Sequence, residues 1–305
     1  MAGHEDKDDP HWDVLPASQM KSVNGVKPVP VNAVWAFKRK RDPLGNITKH
    51  KARLNIHGGQ TMQGIHYWDT YAPVVQWLTV RIVLILSLLE NLHSRSIDFV
   101  LAFPQAKIEV DVYMRMPFGY KPPKDRPDGL YVLKLRKNLY GLKDASATFW
   151  KKCRDTLLSS RYGFVQSEID QCLFIRKDCI LVTYVDDCLC FSRDKKVLDN
   201  VVDLLSKDFV VTDEGEVAKY LGVDVKRSAD SSSIELRQPY LIERILEVLK
   251  VNKANNANSK STPSVKPLLH RDENGSERKE SLAGSTRPDI AFSTHQCARF
   301  CNNPK

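Results

Sequence analysis

The stretch CILVTYVDDCLCF, residues 179–191, constrains this chain more than any other. Apolar or β-branched residues run from Ile180 to Val185 and resume from Cys188 to Phe191, with the adjacent carboxylates Asp186 and Asp187 between them. Two apolar runs parted by two turn-compatible residues predict a β-hairpin with the acids at its tip. Side chains of both parities are apolar, so both faces of the hairpin need cover.

Two unpaired carboxylates at a covered site are costly unless they take up protons or meet a cation. A third carboxylate from a neighbouring strand would complete an oxygen-rich site suited to Mg²⁺, which prefers carboxylates and substrate phosphates. Asp98, in another apolar strand pattern, is the natural candidate. Such a site fits phosphoryl transfer with two ions about 3.5–4 Å apart. The hairpin alone is equally compatible with an exposed Asp-Asp turn that holds no metal.

Composition narrows the choice of partner. The 305 residues suggest about two domains, and a formal charge of +9 with a pI near 9.1 favours an anionic partner such as nucleic acid. Seven cysteines (153, 172, 179, 188, 190, 297 and 301) include no C-x-x-C pair and lie in apolar surroundings. They are expected to be small core residues rather than a disulfide framework or a zinc site. The polar N-terminus is no signal peptide, and the apolar run VLILSLL at 83–89 is too short to span a bilayer. The expectation is an intracellular protein with no membrane partner.

Residues 1–30 read as a polar, proline-rich lead-in. VWAFKRKR (34–41) and ITKHKARLNIHGG (47–59) predict a basic β-hairpin around a turn at Pro43–Asn46. WLTVRIVLILSLLENL (77–92) is apolar nearly all round and predicts a buried helix. SRSIDFVLAFPQAKI (94–108) and EVDVYMRMP (109–117) predict strands, followed by a Pro- and Lys-rich loop and the strand LYVLKLRK (130–137). Helices are expected near 144–160, 194–209 and 241–250, with a hairpin over 219–238 and a linker over 251–280. Antiparallel hairpins mixed with helices predict an α+β fold.

Several stretches together resemble one family. Tyr184-Val185-Asp186-Asp187 resembles the YVDD signature of retroelement reverse transcriptases, and Asp98-Phe99-Val100-Leu101-Ala102-Phe103 their D-x-x-x-A-F strand. Leu139-Tyr140-Gly141-Leu142-Lys143 is similar to the L-Y-G-L-K turn of copia-type elements. Lys51-Ala52-Arg53-Leu54, Tyr220-Leu221-Gly222 and Thr286-Arg287-Pro288-Asp289-Ile290 match in the same order.

The resemblance implies a right-hand polymerase: fingers over 31–97, and a palm over 98–238 with an antiparallel sheet packed on helices. A fingers segment would return near 109–140, and a reduced thumb and connection would occupy 239–305. It implies an RNA-directed DNA polymerase in which Asp98, Asp186, Asp187 and the Val100 backbone bind two Mg²⁺ ions, with Mn²⁺ as a possible substitute. The primer 3′-hydroxyl would attack the α-phosphate of a deoxynucleotide. Phe103 would be the aromatic gate against a ribose 2′-hydroxyl, beside Leu101 and Ala102. Tyr140 and Gly141 would lie under the incoming base, with Lys143 nearby. Arg53, with Lys38 or Arg39, would contact the triphosphate; strand parity decides between the last two. Leu221, Gly222 and Val223 would form the primer grip.

The implied partners are an RNA or DNA template–primer, deoxynucleotides, and the integrase and RNase H domains of a parent polyprotein. The implied location is a cytoplasmic particle or the nucleus. The chain also departs from the pattern. Pro104-Gln105-Ala106 stands where the family often has L-N-G or L-H-G, and Asp144-Ala145-Ser146-Ala147 lacks a usual arginine. The segment 279–290 is shorter than its counterpart, and no RNase H domain follows. An inactive, decayed fragment that at most binds nucleic acid is therefore the alternative. A metal-dependent nuclease would not account for the YVDD hairpin together with a basic hairpin.

Overall fold

Consecutive apolar residues in a strand need neighbours on both edges and burial on both faces, and the strand at the centre of the 179–192 hairpin's sheet has both. In the computed structural model, which describes residues 9–23, 25–41, 46–120 and 130–248, the chain folds into short antiparallel sheets and four helices, an α+β architecture. In chain order the elements are β1 (Trp12–Pro16), β2 (Ala33–Arg41), β3 (Ile47–Ile56), α1 (Trp77–Leu89), β4 (His93–Phe99), β5 (Tyr113–Arg115) and β6 (Tyr131–Leu135). Then come α2 (Ala145–Leu158), β7 (Val165–Gln166), β8 (Leu173–Arg176), β9 (Cys179–Tyr184), β10 (Asp187–Ser192), α3 (Lys195–Asp208) and β11 (Val211–Gly215). The last are β12 (Lys219–Tyr220), β13 (Val223–Arg227), β14 (Ile234–Arg237) and α4 (Pro239–Val248).

The described residues divide into two compact units: residues 9–79 with 93–215, and residues 80–92 with 216–248. In the first, six strands form one sheet in the order β11-β4-β10-β9-β8-β7. Strand β10 lies between β4 and β9, and Cys188 to Ser192 are buried in succession. One core contains Ile97, Phe99, Phe149, Leu181, Val201 and Leu205, drawn from this sheet and from α2 and α3. Phe99 meets Phe149 and Phe209 edge to face, with centroids 5.3 and 5.1 Å apart, the arrangement that aromatic quadrupoles favour. A second core gathers Leu54 and Ile56 of β3 with Leu133, Leu135, Leu139 and Leu142, beside the sheet β1-β6-β5.

The basic hairpin β2–β3 is present, with Ala33 opposite Ile56 and Arg39 opposite His50. Strand β4 ends at Phe99, earlier than the expected 94–108, because Val100 to Gln105 turn away through a 3₁₀ turn at Phe103–Gln105. The expected strand at 109–117 is reduced to β5. The five described cysteines, 153, 172, 179, 188 and 190, are free and buried.

In the second unit, α1 departs from its expected burial. Val80, Val83, Leu84 and Ser87 are buried, whereas Ile82, Ile85, Leu86 and Leu89 are exposed, Leu89 by 75%. Apolarity all round the helix did not translate into cover all round it. The Arg227 guanidinium donates to the carbonyls of Leu92 and Ser87 and to Asn91 Oδ1, tying β13 to the end of that helix. Strands β12, β13 and β14 form a three-stranded sheet. The lead-in before residue 9, the turn residues 43–45 and the loop 121–129 lie outside the described residues. So do the linker, the shortened segment 279–290, the Thr286–Ile290 motif, Cys297 and Cys301.

Candidate functional site

The tip of the β9–β10 hairpin is a two-residue turn. Tyr184 pairs with Asp187, so Val185 and Asp186 form the turn and Asp187 begins β10, a shift of one residue from the expected tip. Val185 has φ +52°, which fits the first central residue of a type II′ turn. A β-branched residue pays a steric penalty there. Leu101, three residues past Asp98, and Leu221 share this left-handed backbone, with φ +52° and +49°. Such strain persists only where the surroundings over-determine it, and it concentrates at functional sites.

Asp187 lies directly opposite Asp98 on β4, and opposed residues of an antiparallel pair share a face. Asp186 is tied to the same strand by its carbonyl, which accepts a 2.8 Å hydrogen bond from the Phe99 N–H. Burial pushes the Asp187 carboxyl up to about 6, with further contributions from Asp186, Asp98 and Glu214. The Asp187 carboxyl thus lies among like charges. Oxygen-only donors bearing this charge suit a hard divalent cation. The side chains do not form a finished cage: among the described residues no three His, Cys, Asp or Glu side chains are gathered in a chelating arrangement. The Val100 carbonyl, a further expected ligand, accepts from Gln105 Nε2 at 2.7 Å.

Tyr140 connects these acids to the basic hairpin. Burial raises its hydroxyl above the usual phenol range; Arg53 opposes this, while Asp186 and Asp98 add to it. The ring therefore lies within electrostatic reach of both carboxylates and of Arg53. The Arg53 guanidinium stands 4.8 Å from its centre, a cation–π contact. Phe103 packs on the ring at 4.8 Å with a 46° tilt. Arg53 Nε is buried without a hydrogen-bond partner among the described residues, a state costing about 1–3 kcal/mol until an acceptor arrives. Ala102, beside Phe103, is buried, and Leu101 is 42% exposed.

Strand parity separates the two other candidate cations. Ala36 pairs with Arg53 and Lys38 with Lys51, so Lys38, Lys51 and Arg53 share one face of the hairpin. Arg39 points the other way, with His50, Phe37 and Trp35. The Trp35 and Phe37 rings stack at 5.9 Å, and Phe37 is 77% exposed. Lys38 lies directly opposite Lys51, a like-charge pair across the hairpin.

Gly141 has φ +97°, and a Cβ there would lie 2.1 Å from the Ile56 carbonyl oxygen. A Cβ on Gly58 would lie 2.1 Å from the Gly141 oxygen. The close approach that Gly141 permits is therefore that of the chain's own strand β3, sealed by the Ile56 N–H donating to the Tyr140 carbonyl at 2.8 Å. Lys143 donates to the Tyr67 hydroxyl at 3.1 Å and lies over that ring.

In the second unit, Leu221 and Gly222 form the two-residue turn between β12 and β13, both with positive φ, and Val223 is buried. Sequence reasoning missed Gly58, Tyr67, Glu214 and Gln105. Only Gly58 carried a signal, as one of two glycines closing a strand.

The comparisons with known proteins agree in kind. Residues 18–266 match the family model described as reverse transcriptase (RNA-dependent DNA polymerase). The retrovirus-related Pol polyprotein from transposon RE1 of Arabidopsis thaliana is 33% identical over 286 residues, covering 90% of this chain and 19% of the relative. The Pol polyprotein from transposon TNT 1-94 of Nicotiana tabacum is 31% identical over 298 residues, covering 90% and 22%. This chain thus spans about a fifth of the length of these relatives. A foamy viral protease–reverse transcriptase in complex with double-stranded DNA aligns with a TM-score of 0.34 at 13% identity, covering 76% of this chain and 33% of that one. That likeness is too distant to carry weight. The family match spans most of the chain and includes both carboxylate strands: the chain belongs to the reverse transcriptase family, as a copia-type reverse transcriptase region.

Proposed function

We propose that this chain is an RNA-directed DNA polymerase that extends a primer 3′-hydroxyl with deoxynucleotides in a retrotransposon. The observation that carries this reading is the pairing of Asp98 with Asp187 on one face of the sheet, with Asp186 bonded to the same strand. Asp98, Asp186 and Asp187 would hold two Mg²⁺ ions, with the second lone pair of the Val100 carbonyl available beside them. Bound there, divalent ions would ease deprotonation of the primer hydroxyl and neutralise charge on the phosphates.

The protein's own groups do the rest. Arg53 and Lys38 bind the triphosphate and offset the charge that develops as pyrophosphate leaves. Phe103, backed by Tyr140, crowds the sugar 2′ position. Leu221, Gly222 and Val223 hold the primer end. The remaining basic surface contacts template–primer phosphates without reading sequence. In this reading the fingers comprise 31–97, the palm 98–238, and the thumb begins at 239. The working site is inside the cell, in a particle or the nucleus; no described helix is long and apolar enough to cross a membrane.

The test is primer extension on an RNA template with Mg²⁺ and deoxynucleotides, with Asp186→Asn beside the wild type. Extension by the wild type alone supports the polymerase. Folded protein that binds template–primer but never extends it would establish the inactive fragment instead.

A further inference from the structure

Gln105 closes the 3₁₀ turn that carries Phe103, and its side-chain amide is fully engaged with the backbone. Nε2 donates to the Val100 carbonyl at 2.7 Å and to the Val210 carbonyl at 2.9 Å, while Oε1 accepts from the Val210 N–H at 2.8 Å. Meeting both polar groups of Val210 copies the way a strand residue pairs, so the amide extends the sheet beyond β11. The Val100 N–H donates to the same Val210 carbonyl at 3.0 Å. The main chain of Gln105 is fixed as well: its N–H donates to Ala102, and its carbonyl accepts from Lys152 Nζ at 2.7 Å. That ammonium is held over the Phe209 ring.

Within this clasp lies Leu101 at φ +52°, a backbone conformation that needs external restraint to persist. Relaxing it would turn the two following residues, Ala102 and Phe103. The Phe103 ring would then leave its 4.8 Å contact with Tyr140.

We infer that Gln105 is a positioning residue for nucleotide selection. It holds the 100–105 loop so that the Phe103 ring presents a fixed wall to the sugar 2′ position. The inference rests on the polymerase reading above. A wall enforces discrimination only if it cannot recoil. The amide thus acts on the ratio of deoxy- to ribonucleotide affinity.

Gln105→Met keeps length and bulk and removes both polar ends. Hydrogen exchange of the amides at 100–106 is expected to accelerate at least tenfold, with β9, β10 and α2 unchanged. On a dideoxy-terminated primer–template with Mg²⁺, ATP should gain about tenfold in affinity while dATP is nearly unchanged. In a Phe103→Ala background the same substitution should add nothing, because its effect passes through that ring. Unchanged exchange would overturn the inference. Faster exchange with an unchanged dATP/ATP ratio would reduce Gln105 to a structural brace and overturn its role in selection. Wild-type protein that binds neither nucleotide would refute the polymerase reading, and the selection role with it.

Discussion

Asp98 and Asp187 stand directly opposite one another on neighbouring antiparallel strands, a like-charge pair in a position that normally holds complementary partners. Opposed like charges destabilise a sheet, so the pair is a stability cost retained at one defined place. Asp187→Asn should therefore stabilise the metal-free protein by up to about 1 kcal/mol. The same change should reduce primer extension by more than about a hundredfold, beyond the range seen for outer-shell changes at metal sites. Urea denaturation and single-turnover extension on one preparation check both halves. A variant that loses stability would contradict the electrostatic account.

The same group sets a pH dependence. The folded Asp187 carboxyl titrates near 6, against 3.8 for the ordinary group. The folded state therefore binds a proton at this group through a window in which the unfolded chain does not, and the group's own contribution to stability rises as pH falls from about 6 toward 4. The half-buried Asp144 carboxyl, also raised, acts in the same direction, so the contribution of Asp187 is the difference between wild type and Asp187→Asn. That difference should be present without metal and diminish when millimolar Mg²⁺ holds the site anionic. Melting temperatures at pH 5 and pH 7, with and without Mg²⁺, give the answer. A difference indifferent to Mg²⁺ would place the ion elsewhere.

Register on the basic hairpin yields a further contrast. Lys38 shares the face of Arg53, and Arg39 lies on the other face with Phe37. A charge-assisted contact of about 1.5 kcal/mol corresponds to roughly tenfold in affinity. Lys38→Ala should raise the deoxynucleotide KM about tenfold, whereas Arg39→Ala should change it less than about threefold. The Arg39 face, with its exposed aromatic ring, should instead affect binding of an unpaired template strand. Steady-state kinetics with saturating template–primer separates the two; equal effects would mean that the hairpin face is not what selects the cation.

How much of this was legible in the residues depends on the range of the interaction. The hairpin was readable because alternation and turn chemistry are local, although Tyr184 pairing with Asp187 moved the tip by one residue. Asp98 was readable as a partner through its own strand pattern and the D-x-x-x-A-F motif; its position opposite Asp187 is a long-range register. The Lys38–Arg39 ambiguity was a parity question, and the pairing of Lys38 with Lys51 places Lys38 rather than Arg39 on the face of Arg53. Gln105 gave no signal, because the backbone groups it binds come from Val210, far along the chain. The expected burial of α1 failed for a related reason. Periodicity reports which side chains are apolar, whereas cover depends on what the rest of the chain brings to each face.

The reciprocal approach of Gly58 and Gly141 supplies the last prediction. Each glycine lacks the Cβ that would strike a backbone oxygen 2.1 Å away: Gly141 against Ile56, and Gly58 against Gly141. A backbone carbonyl cannot swing aside like a flexible side chain, so the backbones must separate. Separation breaks the bond from the Ile56 N–H to the Tyr140 carbonyl and shifts the ring that touches both Arg53 and Phe103. Gly58→Ala should therefore cost about 2–3 kcal/mol of stability. Gly141→Ala should cost more, because its φ of +97° adds backbone strain to the clash. Gly163→Ala provides the control: φ is +67°, but the nearest contact of a Cβ is a side-chain carbon at 3.8 Å, so only the backbone penalty of about 1 kcal/mol applies. Denaturant midpoints should rank Gly163→Ala above Gly58→Ala and Gly58→Ala above Gly141→Ala. Nucleotide affinity should fall for the two clashing variants alone. A Gly58→Ala protein as stable as the Gly163→Ala control would show that the two segments do not meet as closely as this packing requires.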